Sequence, residues 1–276
     1  MRIDAHHHFW KYDPIQYDWI DNAMSVIRRD CLPDELSREI AAARIDGVVT
    51  VQARQSLAET QWLLELANRH DFIQGVVGWV PLISPDVQRD LATFAANPKF
   101  KAVRHVLQGE PDPQYMLRDD FNRGIEQLRP FNLAYDILIF EHQLPQAIEL
   151  VDRHPDQVFI LDHIAKPLIR AQAFSPWQHN IRELAKRLNV YCKLSGLVTE
   201  ADYHAWTPAQ LHPYMQTVLD AFTPERLMFG SDWPVCLVAS TYQNWLQVVT
   251  SFAAKLSPAE QFQILGETAV KAYGLA

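Results

Sequence analysis

The chain has 276 residues, 48% of them hydrophobic and 21% charged, with a formal net charge of −8. Such a composition can bury a full core and excludes a disordered chain. The acidic balance, with no Lys/Arg run longer than two, excludes a nucleic-acid surface, which needs concentrated positive charge.

Ile3 to His8 reads as a short strand, and alternate side chains on a strand point the same way. His6 and His8 are therefore expected to project together, with His7 turned to the other side. A purification tag would run longer and would not sit between a strand-forming lead and Phe9-Trp10. Lys11 to Leu32 has no strong periodicity and reads as a long loop, in which Tyr12, Tyr17 and Trp19 either wall a pocket or pin the loop to the rim. Pro33-Asp34-Glu35 opens a helix to about Arg44, since proline followed by acids suits a first turn. Val48 to Ala53 is a β-branched run typical of a buried strand, with Arg54 at its end.

A helix from Ala58 to Arg69 precedes a third strand, Ile73 to Val80, which carries Trp79. Pro85-Asp86 starts a helix to about Ala96, and Phe100 to Leu107 forms the fourth strand, with Arg104 and His105 near its end. After the loop Gly109 to Pro113 comes a helix ending before Pro130. The fifth strand, Leu133 to Ile139, contains Asp136 and leads to a helix over Gln146 to His154. Val158 to His163 is the sixth strand, Ile181 to Leu188 a helix, and Val190 to Ser195 the seventh strand. A polar, aromatic insertion, Gly196 to Trp206, precedes a helix from Thr207-Pro208. Arg226 to Asp232 is the eighth strand, followed by helices over Tyr242 to Lys255 and Pro258 to Tyr273.

Strands alternating with helices imply a parallel sheet, because parallel neighbours need a crossover. Eight such repeats with no linker predict one domain over residues 1–276, an α/β fold closed as a (β/α)8 TIM barrel. A doubly wound open sheet is the other arrangement considered; no glycine-rich phosphate loop follows any strand to support it.

Active sites of such barrels lie at the C-terminal ends of the strands. Polar residues recur there: His6 and His8, Arg54, Arg104 and His105, His163, Lys193 and Ser195, and Asp232. Singly, each has a structural explanation: a hydrogen-bonded histidine, a solvated arginine, an aspartate capping a helix. Jointly they point to a site, since the opposite strand ends are apolar or plain turn residues. The set suits attack of water on a carbonyl. Asp232 is the candidate general base, because neighbouring positive charge keeps a carboxylate ionised. His6, His8 and His163 could orient the water, polarise the carbonyl or hold a metal. Arg54 and Arg104 offer fork-shaped donors for a carboxylate or oxyanion. Neither Ser195 nor Ser231 lies in a GxSxG nucleophile elbow and no cysteine lies in an activated context, which disfavours an acyl-enzyme route.

With these residues in order, the chain resembles the amidohydrolase superfamily, and within it the amidohydrolase-2 group of sugar-lactone and pyrone-dicarboxylate lactonases. The resemblance runs over Ile3 to Trp10, Val103 to Gln108, Leu161 to Pro167, Cys192 to Leu197 and Phe229 to Pro234. It looks most like the relatives acting on L-fucono- and L-rhamnonolactones. The resemblance implies that Asp232 is the base and that His6, His8 and His163 support it. Arg54, Arg104, His105, Lys166, Trp19 and Trp79 are the substrate-side candidates. Trp10 and Trp233 also offer apolar faces for a sugar ring, although some of these tryptophans are expected to be packing. Many amidohydrolases carry a lysine or glutamate at the fourth strand and a histidine on the fifth, where this chain has Arg104-His105 and Asp136, so a binuclear centre is not expected. The lactonase branch works with one metal or none: no cofactor is required, and one divalent ion, zinc, is compatible with His6, His8 and Asp232.

The reading is therefore a hydrolase opening a sugar-acid lactone by Asp-activated water. The alternatives are a metal-dependent decarboxylase of an aromatic or unsaturated acid on the same fold, and a barrel that binds a sugar acid without turning it over. Cys31, Cys192 and Cys236 are odd in number, far apart and outside any CxxC, which suits a reduced cytoplasmic interior. No apolar run or secretory pattern suggests a membrane. The expected partner is a small-molecule lactone; assembly into a homo-oligomer is compatible with the sequence.

Overall fold

Eight short strands pair in chain order, every neighbour parallel: β1 (Ile3–His7), β2 (Gly47–Val51), β3 (Ile73–Gly78), β4 (Phe100–His105), β5 (Ala134–Ile137), β6 (Phe159–Leu161), β7 (Val190–Leu194) and β8 (Leu227–Phe229). The computed structural model describes residues 1–276. The sheet closes where His7 bridges Trp233, beside hydrogen bonds of 2.7 Å from His8 N to Trp233 O and from Asp232 N to His6 O. The result is the (β/α)8 barrel that the alternation predicts. Helices α1 (Pro33–Ala43), α2 (Leu57–Arg69), α3 (Val87–Ala95), α4 (Asp119–Glu126), α5 (Leu144–Arg153), α6 (Trp177–Ala185), α7 (Pro208–Phe222) and α8 (Tyr242–Ala253) form the outer ring. None is long and apolar enough to cross a membrane.

Local chemistry sets these boundaries. Pro33 supplies the first turn of α1 with Asp34 and Glu35 behind it, and Arg44 ends the helix in the left-handed conformation at φ 54°. Ser56 caps α2 by accepting from the Glu59 amide. The last predicted helix runs unbroken from Pro258 to Tyr273, as α9 (Pro258–Phe262) and α10 (Thr268–Tyr273) with a π-helical stretch at Gln263–Glu267 between them.

Period-two alternation sorts the strand residues into two cores. Val48, Val76, Val103, Ile137, Leu161, Cys192 and Phe229 face outward onto the helices. Ile3, Ala5, Val49, Val51, Ala102, Ala134, Ile160, Tyr191 and Met228 fill the barrel axis, where Ala269, Ala272 and Tyr273 of α10 plug the lower end. Two residues further along, the inward positions turn charged: Arg104, Asp136, Asp162 and Lys193, all buried. The barrel thus has an apolar floor, a polar middle layer and, above it, the mouth.

Two strands are shorter than their apolar runs suggest. The sixth, expected from Val158 to His163, stops at Leu161 because His163, Ile164, Ala165 and Lys166 all take positive φ, between 47° and 60°. The eighth, expected from Arg226 to Asp232, stops at Phe229, and Asp232 also lies at positive φ, 58°. Both interruptions occur where a side chain must leave the pleat to reach the mouth.

Candidate active site

β1 carries a register shift against β2 between Asp4 and His7. The extra residue lets Ala5 and His6 both face the axis. His7 turns outward to meet Thr50 Oγ1 at 2.8 Å, and His8 returns to the inner side. His6 Nε2 and His8 Nε2 stand 3.2 Å apart. Gly230, after β8, lets β1 come close: a Cβ there would lie 2.7 Å from His6 Cβ. His163 enters from the left-handed turn after β6, its ring centroid 4.3 Å from that of His6 and its Nδ1 2.9 Å from Ser195 Oγ. Gly196, at φ 72°, makes room for it, since a Cβ would stand 2.6 Å from His163 Nδ1.

Asp232 completes the group. Its Oδ1 lies 3.5 Å from His8 Nε2, 3.8 Å from His6 Nε2 and 4.0 Å from His163 Nε2. Burial alone would raise its pKa, but the neighbouring His163, His8 and Lys166 outweigh that and hold the carboxyl below its ordinary value. Burial lowers His163 to about 4 against the pull of Asp232, and lowers His6 together with Lys193. At neutral pH the site therefore presents one carboxylate beside neutral His6 and His163 imidazoles.

The His6, His8 and Asp232 atoms fit a divalent ion. Ligands at about 2.0–2.1 Å from a tetrahedral zinc stand about 3.3 Å apart, and the three separations here are 3.2, 3.5 and 3.8 Å. His8 Nδ1 lies 2.8 Å from Val51 O, which can only accept, so His8 turns a lone pair to the site.

A family model described as amidohydrolase matches residues 3–275. The chain belongs to the amidohydrolase-2 family. It is 41% identical over 286 residues to an L-fucono-1,5-lactonase of Burkholderia multivorans, covering all of this chain and 96% of that one. Two crystal structures of an amidohydrolase from Burkholderia multivorans, each 40% identical and covered completely on both sides, superpose with TM-scores of 0.97 and 0.95. The first holds HEPES and the second zinc.

Of the residues expected at the site, this amidohydrolase brings His6, His8, His163 and Asp232 into one group. Lys166 sits close by, 4.0 Å from Glu200 Oε1, with part of its side chain open to solvent. Arg54 lies on the rim, 3.5 Å from Glu59 Oε1 and over the Tyr17 ring. Trp79 donates to His105 Nδ1 at 3.3 Å, and His105 Nε2 meets Glu110 at 2.6 Å. Trp19 is 40% exposed and packs edge-on against Trp10. Trp10 and Trp233 are packing residues, both fully buried. Arg104 is turned into the barrel, where Gln52 and, at 2.9 Å, Asp162 Oδ2 take its donors.

Asp162 and Tyr273 of the polar layer went unread in the sequence, and Lys193 and Asp136 were read without their partners. Asp162, Lys193 and Asp136 bind one another beneath His6, with Lys193 Nζ 2.5 Å from Asp136 Oδ2 and 2.9 Å from Asp162 Oδ1. Tyr273 donates to the same Asp136 oxygen at 2.7 Å. With Arg104 the layer holds two positive and two negative groups, so buried charge is balanced. The available signal was the period: Arg104, Asp136, Asp162 and Lys193 each stand two places after an inward apolar residue.

Proposed function

We propose that this amidohydrolase hydrolyses a sugar-acid lactone, L-fucono-1,5-lactone or a related aldonolactone such as the L-rhamnono compound, to the open-chain aldonate. The observation that carries this reading is the Asp232 carboxylate, held ionised within 4.0 Å of three imidazoles at the strand ends. Full-length identity of 41% to an L-fucono-1,5-lactonase supports the substrate class.

In this mechanism Asp232 accepts a proton from water, which attacks the ring carbonyl. His163 donates through Nε2 to the developing oxyanion while Ser195 Oγ–H holds its Nδ1. The tetrahedral adduct expels the ring oxygen, which recovers the proton from Asp232. A divalent ion held by His6, His8 and Asp232 would supply Lewis-acid polarisation of the carbonyl. Lys166, Arg54, Trp19 and Trp79, each partly open to solvent, are the groups free to meet hydroxyls and ring faces. Arg104 and His105 support them from internal positions.

A pH-indicator assay over a stereochemical panel of aldonolactones, with and without zinc, tests the proposal. Asp232→Asn is expected to lower kcat by roughly 10²–10⁴-fold, the size of a general-base contribution, with KM little changed. Failure of the native protein to open any lactone in the panel would refute the substrate class.

A further inference from the structure

The polar layer beneath His6 contains an unequal contest for one nitrogen. His6 Nδ1 has two neighbours: Lys193 Nζ at 3.1 Å, placed to donate to it, and Asp162 Oδ1 at 3.3 Å, placed to accept from it. Both cannot be satisfied by one neutral ring, because Nδ1 either bears the hydrogen or accepts one. The hydrogen-bond geometry favours Lys193, and Asp162 Oδ1, buried beside the Lys193 ammonium at 2.9 Å, receives no hydrogen from the ring. A buried carboxylate oxygen with one cationic neighbour still has lone-pair capacity for a ring N–H. At the other end of the ring, His6 Nε2 faces the His8 Nε2 lone pair at 3.2 Å, a contact that needs a hydrogen on His6, and an Arg104 Nη1 donor at 3.5 Å, a longer contact that needs a lone pair there.

We propose that Lys193 and Asp162 act as a tautomer switch under His6. With Lys193 donating to Nδ1, His6 presents an N–H to the mouth. With Asp162 Oδ1 accepting from Nδ1, it presents the lone pair that a divalent cation needs. The two states hold the same protons: the hydrogen on Nε2 in one is on Nδ1 in the other, exchanged through water at the mouth. Lys193 stays an ammonium ion throughout. It gives up only its bond to His6 and keeps Asp136 at 2.5 Å and Asp162 at 2.9 Å. Lys193 is thus a positioning residue. It sets whether the β1 pair works as a hydrogen-bond donor or as a metal ligand set, and the inference rests on the site reading given above.

The test is long-range ¹H–¹⁵N correlation NMR of the ¹⁵N-histidine protein, with His6 assigned by its loss in His6→Gln, together with zinc affinity from equilibrium dialysis. Metal-free wild type is expected to show His6 as the Nε2–H tautomer and zinc-saturated wild type as Nδ1–H. The double variant Lys193→Met/Asp136→Asn removes one charge of each sign, so the layer stays neutral. It is expected to show Nδ1–H without zinc and to bind zinc about tenfold more tightly, the lower end of what partners of metal ligands contribute. Metal-free wild type already in the Nδ1–H form, or a double variant with unchanged zinc affinity, would overturn the proposal. If the variant does not fold, the two wild-type spectra decide the matter alone. Neither readout uses a lactone, so failure of the switch and failure of the lactonase reading are separable.

Discussion

Gly196 shows how narrowly the His163 ring is placed. Its φ of 72° is open to glycine at no cost, and the space a Cβ would take is already occupied by His163 Nδ1 at 2.6 Å. Gly196→Ala therefore adds both backbone strain and a clash that only a shift of the imidazole can relieve. The expected outcome is a loss of roughly 1–3 kcal/mol in denaturant unfolding. Turnover of the lactone should fall by about 10²-fold, because displacements near 1 Å at a reacting group cost that much. An alanine variant with native turnover would mean that His163 does not touch the reaction. Gly230 does the same service for His6 from the other side.

The elements end where a side chain is needed elsewhere. β6 stops one residue before Asp162, and the left-handed run from His163 to Lys166 lifts His163 to the mouth while Ile164 stays buried below. Non-glycine residues visit this conformation at a cost of about 1–2 kcal/mol each. Surrounding contacts offset that cost here, including the Trp177 indole N–H to Ile164 O at 2.8 Å. The C-terminus of α1 shows the same conformation without a site to serve. Arg44, at φ 54° and exposed, sits where glycine is preferred. Arg44→Gly is expected to stabilise the protein by about 0.5–1 kcal/mol in the same unfolding assay, with no effect on turnover. The turn after β6 was hidden in the sequence because the apolar run Val158 to Leu161 passes into Asp162 and His163 with no glycine or proline to mark the break, whereas after β8 Gly230-Ser231 was a signal that could have been read.

Across the molecule, one seam closes the barrel and Asp4 holds it. Its Oδ1 accepts from the Ser231 amide at 2.8 Å and the His6 amide at 3.1 Å, and its Oδ2 accepts from the Tyr242 hydroxyl at 3.0 Å. Burial raises its carboxyl to about 6 despite these bonds. A carboxyl raised on folding contributes stability that is complete below its unfolded value and is lost as pH rises through the folded one. Asp4 should therefore make wild type roughly 3 kcal/mol less stable at pH 7 than its protonated form would be, at 1.36 kcal/mol per pK unit. Asp4→Asn removes that dependence. The stability of wild type relative to the variant is expected to decline as pH rises from 4 to 7, read by chemical denaturation at each pH. A constant difference would show that Asp4 is not held in a raised state.

The order of elements, the closed parallel sheet and the gathering of His6, His8, His163 and Asp232 at one rim all follow from local patterns along the chain. Alternation decides strand against helix, eight repeats close a barrel, and strand direction assigns every C-terminal end to the same face. Which charges pair inside the barrel is another matter. Lys193 reaches His6 across 187 residues and Asp136 across 57, and those meetings depend on the stagger between strands and on the shift in β1. A strand's own sequence says which side chains point inward but carries no record of its neighbours' heights. The partners of Arg104, Asp162 and Lys193 therefore became determinate only when the sheet closed.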